Sequence, residues 1–394
     1  MRIGIDARFY GPLGKGLGRY TQEVVDRVIE KSKLSFEFDL FFVIFLSPEN
    51  FDEFQINDER VLKVKLPFRW YSIKEQLLFP FYIKKYKLNL IHFPHFNIPI
   101  FCPTKFIVTI HDLILTRFPT MRATTRNRFV YNLKNLAYRL VLKRAIKKSV
   151  QIITISEFTK KDILNKLSVP AEKVVVTYEG VSNLARGRDS LFVSKIDPLE
   201  TKIQYHLGDN FLLYVGNAYP HKNLEKLLDA FILLKEKRPD YKLVLVGKAD
   251  YFYNRLRDYA KSLNLWQKEN LNSPVVFPGY VPDAQLEVLY KEARAYVFPS
   301  LYEGFGLPPL EAMAKGCPVI SSDRASLPEV LGSAALYFNP EDTQDFLAKI
   351  NLVLDDAKLR NEMIDKGLKQ VKMYNWWECA NNTYKVYKDI LFSK

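Results

Sequence analysis

Two carboxylates and a glycine-rich turn occur together in one short stretch, FPSLYEGFGLPPLEAMAKGCP at residues 298–318. A strand-like run at 295–298 leads into it, and a helical pattern follows it. Glycine permits backbone conformations closed to other residues, so the N–H groups of 304–307 can face outward with the positive end of the helix dipole behind them. Such a loop can hold phosphate or sugar hydroxyls. Glu303 before it and Glu311 inside the helix are the carboxylates nearest to such a ligand.

Two further candidate side chains directly follow predicted strands. Lys222 comes after the strand 211–215 and a turn containing Pro220, where an ammonium group could neutralise a diphosphate leaving group. His111 ends the strand 106–110, and ligands of parallel sheets bind beyond the carboxyl ends of the strands. From spacing alone, Lys222 could equally be a solvated lysine, and His111 a strand-end histidine bonded to the backbone.

The glycines near the N-terminus differ from a dinucleotide-binding fingerprint. Gly14, Gly16 and Gly18 are spaced G-x-G-x-G, and no acidic residue closes a second strand where it would bind a ribose. This pattern argues against a nicotinamide cofactor. The glycine loop could be either flexible or ligand-facing.

The histidines do not predict a metal site. His92 and His95 have H-x2-H spacing across a proline loop, without the helical H-E-x-x-H pattern or a cysteine ligand. No two aspartates are spaced two apart, so a D-x-D metal clamp is also missing. We therefore expect no metal and no cofactor.

Strands and helices alternate along the whole chain, which predicts an α/β fold with doubly wound parallel sheets. A first series of strands is predicted at 3–8, 40–46, 61–66, 88–93, 106–110, 152–155 and 174–177, and a second at 211–215, 242–246, 274–277, 295–298 and 318–321. A length of 394 residues suits two domains. The polar stretch 180–208 is predicted as the linker, and residues 374–391 as a helix with an aromatic face.

Composition predicts a globular protein of a reducing compartment. The three cysteines are widely spaced, which indicates free thiols and therefore the cytoplasm. No apolar run approaches the roughly 18 residues of a transmembrane helix, and the N-terminus reads as a strand rather than a signal peptide.

Charge is concentrated in the N-terminal half, since residues 1–190 have a net charge of +14 and the rest of the chain is neutral. No acidic residue lies between Asp112 and Glu157, whereas ten basic residues do: Arg117, Arg122, Arg126, Arg128, Lys134, Arg139, Lys143, Arg144, Lys147 and Lys148. Aromatic and aliphatic residues are interleaved with them, and residues 67–87 repeat the pattern. This predicts docking on an anionic membrane, although the helices could simply pack inward and solvate their charges.

Together these motifs resemble the retaining, nucleotide-sugar-dependent glycosyltransferases of the GT-B fold, in particular family 4, which includes bacterial mannosyltransferases of surface polysaccharides. Glu303 and Glu311 match its E-x7-E motif, and further matches follow in order from residue 3 to residue 387. The resemblance implies two facing Rossmann-like domains. Residues 1–185 would bind the acceptor, with 374–394 packing back on them, and residues 186–373 would bind the nucleotide sugar.

The reaction that the resemblance implies is transfer of a sugar to a hydroxyl of a lipid-linked or polysaccharide acceptor, with GDP-mannose as the leading donor. Position by position, Glu311 would bind the ribose, Glu303 would lie near the transferred sugar, Lys222 would stabilise the departing diphosphate and His111 would contact the donor sugar. The catalytic residues are then His111, Glu303 and Lys222, and the other donor-binding residues are Gly16, Gly18, Asn217, Gly247, Gly279, Tyr280, Val281, Gly304, Phe305, Gly306, Leu307 and Glu311. Asn217 stands where the family commonly has arginine, and His221 could substitute only in part.

Two other classes of function remain open. A sugar-nucleotide epimerase or a phosphorylase could share the fold. The observation that distinguishes a transferase from either is whether the reaction needs an acceptor and releases free nucleoside diphosphate. The basic half is also compatible with nucleic-acid binding, but no binding module is recognisable and the carboxylate loop would be unexplained. We expect a cytoplasmic enzyme at the inner face of the membrane, with no nucleic-acid partner.

Overall fold

A computed structural model defines the structure of residues 1–34, 39–118, 128–181 and 197–392. Within these ranges the chain forms two compact units. Unit 1 comprises Met1–Gly180 and Asn375–Lys394, and unit 2 comprises Val181–Tyr374.

Unit 1 is built on a seven-stranded parallel sheet. Its strands are β1 (Arg2–Asp6), β2 (Phe41–Leu46), β3 (Val61–Lys65), β4 (Leu90–Phe93), β5 (Phe106–Ile110), β6 (Gln151–Thr154) and β7 (Val174–Val176), in the order β3-β2-β1-β4-β5-β6-β7. Its helices are α1 (Lys15–Leu34), α2 (Ile73–Lys85), α3 (Ile114–Arg117), α4 (Arg128–Lys148), α5 (Glu157–Lys166) and α14 (Trp376–Phe392). The central strands β4 and β5 are apolar almost throughout and fully buried, as expected of strands covered on both faces.

Unit 2 repeats the architecture with a six-stranded parallel sheet. Its strands are β8 (Phe211–Val215), β9 (Lys242–Val246), β10 (Val275–Gly279), β11 (Ala295–Phe298), β12 (Val319–Ser322) and β13 (Ala335–Phe338), in the order β10-β9-β8-β11-β12-β13. Its helices are α6 (Pro198–Gln204), α7 (Leu224–Lys237), α8 (Tyr251–Ser262), α9 (Asp283–Glu292), α10 (Leu307–Ala314), α11 (Leu327–Leu331), α12 (Thr343–Asp355) and α13 (Ala357–Gln370). The predicted α/β class with parallel sheets is confirmed.

Helix starts are set by short polar side chains that accept backbone hydrogen bonds. The Ser156 hydroxyl accepts from the Thr159 N–H, which confirms Ser156 as the cap of α5. Ser72 caps α2 in the same way through the Glu75 N–H. Each cap fixes the residue at which its helix begins, directly after a strand or a loop.

Helix α14 is part of the core of unit 1. The Tyr387 hydroxyl lies 2.6 Å from His92 Nδ1 on β4, and His92 Nε2 lies 2.9 Å from the Thr109 hydroxyl on β5. The Arg27 guanidinium of α1 stacks over the Trp377 ring at 5.7 Å. Buried hydrogen bonds therefore tie the last helix to the centre of the N-terminal sheet.

Several predicted elements need correction. Gly16 and Gly18 lie in the first turn of α1, which already begins at Lys15, and not in the predicted loop. The predicted linker 180–208 contains the helix α6, and its residues 182–196 lie outside the described part of the chain, as do Arg122 and Arg126. Strand β13 was not predicted, since four residues carry little periodic signal.

No helix within the described ranges has the length and apolar character needed to span a bilayer.

Gly180 packs against the chain just before and at the start of α14, so we expect Gly180→Ala to destabilise the protein. A Cβ at this position would overlap the Trp376 amide nitrogen and the Asn375 carbonyl carbon. Overpacking against a fixed backbone costs about 1–3 kcal/mol of unfolding free energy. Urea-induced unfolding of wild type and variant would measure the difference.

Gly208→Ala is the matched control, because a Cβ at Gly208 meets no atom within 4 Å. Equal unfolding midpoints for wild type and Gly180→Ala would contradict the close packing of α14 at this residue.

Candidate active site

The carboxylate loop lies between β11 and α10, and its backbone is held from one side by a serine. Helix α10 begins at Leu307. The helical sequence pattern becomes clear only two residues later, at Pro309. Gly306 precedes it in the left-handed region, with φ 104°, where a side chain would be strained. The Ser326 hydroxyl lies 3.0 Å from the Glu303 carbonyl and 3.1 Å from the Phe305 carbonyl. The loop conformation is therefore fixed by a residue that sequence reasoning missed.

The loop brings together two predicted catalytic residues. Lys222 Nζ lies 2.5 Å from Glu303 Oε1, and the two side chains are only 12% and 10% exposed. The His221 carbonyl accepts a 2.7 Å hydrogen bond from the Leu301 N–H, which joins the lysine turn to the carboxylate loop. A buried ammonium and a buried carboxylate thus compensate each other at the carboxyl edge of the sheet in unit 2.

His221 cannot replace the positive charge of the arginine that Asn217 displaces. Burial first, and then the charge of Lys222, lower the pKa of His221 to about 4, because Glu303 opposes them only in part. The imidazole is therefore neutral near pH 7. Asn217 itself is half-buried, and its side-chain oxygen accepts a 3.3 Å hydrogen bond from the Tyr219 N–H.

The second carboxylate and the loop residues differ in accessibility. Glu311 lies inside α10 and is largely buried. The Phe305 side chain is also buried and packs edge-on against Tyr374, with ring centroids 5.2 Å apart. Only the backbone of Phe305 is then suited to ligand contact, as expected for a loop that uses N–H groups. Gly304 and Gly306 are buried beside it.

The strand ends that were predicted to border the base also meet at this edge. The Gly247 N–H donates a 3.1 Å hydrogen bond to the Gly279 carbonyl. A Cβ at Gly247 would overlap the Gly216 carbonyl and the Tyr253 hydroxyl, so only glycine fits. The Tyr280 side chain is 77% exposed, whereas that of Val281 is buried.

Exposed aromatic rings accompany these strand ends and were not predicted. Tyr219 follows β8 and packs edge-on against Phe252, with ring centroids 4.9 Å apart. Tyr251, which precedes Phe252 and follows β9, is exposed. The available signal was an aromatic residue shortly after each apolar run.

In unit 1, His111 is held by acceptors at both ring nitrogens. Nε2 lies 2.9 Å from the Pro94 carbonyl, and Nδ1 lies 3.3 Å from Glu179 Oε1. Because a carbonyl and a carboxylate only accept, both nitrogens must donate, which requires the imidazolium form. Burial alone would lower the pKa of His111, but the hydrogen bond and charge of Glu179, the Pro94 carbonyl and Asp112 outweigh it and raise the pKa.

The histidines next to His111 are neutral chiefly because they are buried. Burial, followed by the charge of His111, lowers the pKa values of His92 and His95 to about 3. The contact predicted between His111 and a donor sugar stays a prediction, and Glu179 is a partner that sequence reasoning missed. A lone glutamate before a glycine carries no distinctive sequence signal.

The glycines of the N-terminal segment have different surroundings. A Cβ at Gly14 would overlap the Phe9 carbonyl, and one at Gly18 would overlap the Gly11 and Phe9 carbonyls. At Gly16 a Cβ meets nothing within 4 Å. Close packing therefore explains Gly14 and Gly18, and open space for a ligand exists only beside Gly16 among the three.

The histidine pair considered as a metal site is used otherwise. His92 bonds to Tyr387 and Thr109 through its two nitrogens. Within the ranges that the structure describes, no group of three or more His, Cys, Asp or Glu side chains is arranged to hold a metal ion.

Two family profiles match successive parts of the chain. Residues 15–183 match the profile described as Glycosyltransferase Family 4, and residues 197–370 match that of Glycosyl transferases group 1. These two matches cover most of units 1 and 2, respectively.

Curated relatives match the chain over most of its length. The O-antigen chain mannosyltransferase B of Escherichia coli is 31% identical over 95% of this chain and 96% of its own. The O-antigen chain mannosyltransferase RfbU of Salmonella typhimurium is 32% identical over 74% of this chain and 72% of its own. Among solved structures, the sucrose-phosphate synthase of Thermosynechococcus elongatus aligns over 100% of both chains with a TM-score of 0.74 and 19% identity.

We expect Glu179→Gln to lower the pKa of His111, because the amide keeps the side-chain shape but not the charge that stabilises the imidazolium. Since the folded-state pKa is raised, the contribution of His111 to stability is complete below its unfolded value of about 6.5. It is lost as the pH rises through the folded-state value. NMR titration of the imidazole protons would measure the pKa of His111 in wild type and in Glu179→Gln.

A His111→Gln variant identifies the resonance. Wild-type stability should also fall more than that of Glu179→Gln as the pH rises through the His111 pKa. An unchanged His111 pKa in Glu179→Gln would contradict the proposed pairing.

Proposed function

The chain belongs to the family 4, or group 1, glycosyltransferases, and we propose that it transfers mannose from a nucleotide-diphosphate sugar to a hydroxyl of a lipid-linked or polysaccharide acceptor. Membership makes it a hexosyltransferase, and the resemblance and GT-B fold expected from its motifs are confirmed. In the proposal, residues 186–373 bind the donor and residues 1–185 bind the acceptor. Transfer proceeds with retention of the anomeric configuration and without a metal.

The Lys222–Glu303 pair is the observation that carries the proposal. A carboxylate of charge −1 holds the ammonium only until a diphosphate, which carries more negative charge, enters the site. Lys222 then stabilises the departing diphosphate, and Glu303 becomes available to a hydroxyl of the transferred sugar. Glu311, which only accepts hydrogen bonds when ionised, binds the two ribose hydroxyls.

The remaining donor contacts are proposed from the same edge of the sheet. The backbone of Gly304, Phe305, Gly306 and Leu307 holds sugar and phosphate oxygens, and the strand ends at Gly247, Gly279, Tyr280 and Val281 border the base. Asn217 completes the donor contacts proposed for unit 2. Gly16 and Gly18 of unit 1 are proposed as donor contacts from the family resemblance alone; a Cβ at Gly16 would meet nothing within 4 Å, whereas one at Gly18 would overlap two backbone carbonyls. His111 contributes a fixed positive charge near the donor sugar.

Mannose is proposed from the relatives, since both O-antigen enzymes named above are mannosyltransferases. GDP is proposed from the sequence resemblance, which gives GDP-mannose as the leading donor. A thermal-shift panel tests this choice, because a ligand that binds the folded state raises the unfolding temperature. GDP-mannose should stabilise the protein more than UDP-glucose. Release of free GDP should then require an acceptor, which separates a transferase from an epimerase. Stabilisation by neither nucleotide sugar would contradict the proposal.

We also propose that an anionic membrane presents the acceptor. On α2, Ile73, Leu77 and Phe81 form an exposed stripe at helical spacing, beside exposed lysines at 74, 84 and 85. On α4, Leu133, Leu136 and Leu140 form a second stripe, which Lys143 and Lys147 continue. Apolar stripes flanked by lysines are typical of helices that lie in a membrane interface.

The two stripes belong to neighbouring elements. Gln76 of α2 bonds to the Ile98 carbonyl and the Ile100 N–H, and the Arg144 side chain of α4 donates to the Ile100 carbonyl. Phe101, 74% exposed, lies between them under the Arg144 guanidinium. We call the stripes and Phe101 the α2–α4 surface.

Kinetics of two variants should separate the roles of the donor residues. We expect Lys222→Ala to lower kcat by about 10²-fold or more, because it removes charge stabilisation that develops as the diphosphate departs. Glu311→Ala should mainly raise the KM for GDP-mannose, because a ribose contact is made equally in the ground and transition states. Steady-state rates of GDP release measure both constants.

Lys226→Ala is the matched control, since the Lys226 ammonium bonds to Thr343 and lies away from the carboxylate loop. Near-normal kcat in Lys222→Ala would show that the assigned role is wrong.

Sedimentation with liposomes tests the α2–α4 surface. We expect binding to anionic vesicles that is lost at high salt, because each basic residue near such a surface contributes about 1 kcal/mol. Charge reversal at Lys143, Lys147 and Lys148 should weaken it, and so should Ile73→Ser with Phe81→Ser. Arg144 is left unchanged because it bonds to the backbone.

Lys268→Glu is the matched control, because Lys268 is an exposed lysine of unit 2. No preference for anionic vesicles at low salt would rule the membrane proposal out.

A further inference from the structure

Five aromatic rings form a continuous patch at the carboxyl edge of the sheet in unit 1. Phe9 follows β1, Trp70 and Tyr71 follow β3, and His95 and Phe96 follow β4. Ring centroids are 4.6 Å apart for Phe9 and Trp70, 5.4 Å for Phe9 and His95, and 4.0 Å for His95 and Phe96. Tyr71 joins the patch through His95 and Phe96, each at 6.1 Å. We call these five residues the aromatic platform.

The platform is partly exposed and locally strained. Tyr71 is 58% exposed, and Trp70, His95 and Phe96 are half-buried. Tyr71 adopts a left-handed conformation with φ 58°, which is unfavourable for a bulky residue. Such strain persists only where the surroundings impose it, and it is concentrated at ligand sites.

A buried ion cluster fixes the three segments that carry the platform. The Arg8 guanidinium lies 2.6 Å from Asp6 Oδ2 and 2.5 Å from Glu75 Oε1. The Asn97 side-chain amide donates a 2.6 Å hydrogen bond to the same Glu75 oxygen. Arg8, Glu75 and Asn97 are close in sequence to Phe9, Trp70–Tyr71 and His95–Phe96, respectively. The cluster therefore links the three segments that carry the rings.

His95 supplies the platform with a directed hydrogen-bond donor. Its Nδ1 faces the Asn97 N–H at 3.4 Å and the Tyr71 hydroxyl at 3.3 Å, so Nδ1 accepts. Burial first, and then the charges of His111 and Arg8, lower its pKa to about 3, so the ring is neutral and its proton lies on Nε2. Among the described residues no bonding partner of Nε2 is found, and the N–H can bind a ligand.

From this geometry we propose that the aromatic platform is the acceptor subsite, and that it binds a hexose ring of the acceptor glycan by stacking. The proposal rests on the transferase function above and names the part of the acceptor that unit 1 recognises. Apolar C–H faces of a pyranose suit aromatic faces, and its hydroxyls suit the few polar groups at the rim. The His95 Nε2–H donates to one such hydroxyl.

The chemistry of the platform favours a sugar over a lipid chain or an anion. A lipid chain offers no acceptor for the His95 N–H, and the α2–α4 surface already presents the exposed aliphatic side chains. Arg8, the cation next to Phe9, is already bonded to two carboxylates and therefore does not favour an anion here.

Kinetics with α-linked mannotriose as a soluble acceptor test the proposal. At saturating GDP-mannose, we expect Trp70→Ala to raise the KM for mannotriose about tenfold and to leave the KM for GDP-mannose unchanged. Trp70→Phe should restore most of the affinity, because it keeps an aromatic face. Phe41→Ala is the matched control, as Phe41 is an exposed aromatic residue of unit 1 at the start of β2, outside both the platform and the α2–α4 surface.

Intrinsic fluorescence gives a second measurement that needs no turnover. The chain has four tryptophans, and we expect millimolar mannotriose to change the emission of wild type but not that of Trp70→Phe. If mannotriose changes the fluorescence of wild type but GDP-mannose neither binds nor releases GDP, the donor proposal is wrong and the platform proposal is supported. If transfer proceeds with an unchanged acceptor KM in Trp70→Ala, or if mannotriose leaves wild-type fluorescence unchanged, the platform is not the acceptor subsite.

Discussion

Parallel strand pairing is the constraint on which the rest of the structure depends. Every paired strand of both sheets in the described residues runs in the same direction as its neighbours. All carboxyl ends of a sheet therefore meet at one edge, where the chain leaves regular structure and side chains gain freedom to meet a ligand. In unit 2 this edge carries Lys222 and the Glu303 loop, and in unit 1 it carries His111 and the aromatic platform. Residues far apart in sequence become neighbours for this reason alone.

Charge at these edges is compensated in pairs. Lys222 is paired with Glu303, His111 with Glu179, and Arg8 with two carboxylates. Removing one partner would leave a buried charge without compensation, which costs more than the pair itself contributes. In the proposed reaction a substrate exchanges with one member of such a pair, so each buried charge keeps a partner of opposite charge.

Sequence alone predicted the frame of this arrangement better than its contacts. The apolar runs gave the limits of β5, β8, β9 and β11 to the residue, because buried parallel strands are short and continuously apolar. The E-x7-E spacing identified the loop, but no spacing rule joins Lys222 to Glu303 across 81 residues. Glu179 and Ser326 were missed, since their roles depend on neighbours that only the fold supplies. Gly18 is explained by close packing, since a Cβ there would overlap backbone carbonyls. Its spacing in the sequence could not distinguish this packing role from ligand binding.

The distribution of charge separates the two tasks of unit 1. Residues 1–190 have a net charge of +14. Arg8 and His111, which follow β1 and β5, do not account for it, because they are matched by Asp6, Glu75 and Glu179. The unmatched lysines, such as Lys143 and Lys147, lie on the α2–α4 surface beside exposed leucines. An anionic acceptor headgroup would need its cations at the ligand edge, whereas an anionic membrane needs them on an outer face. The excess charge therefore fits recognition of the surface that presents the acceptor, and the uncharged aromatic platform fits recognition of the acceptor sugar itself.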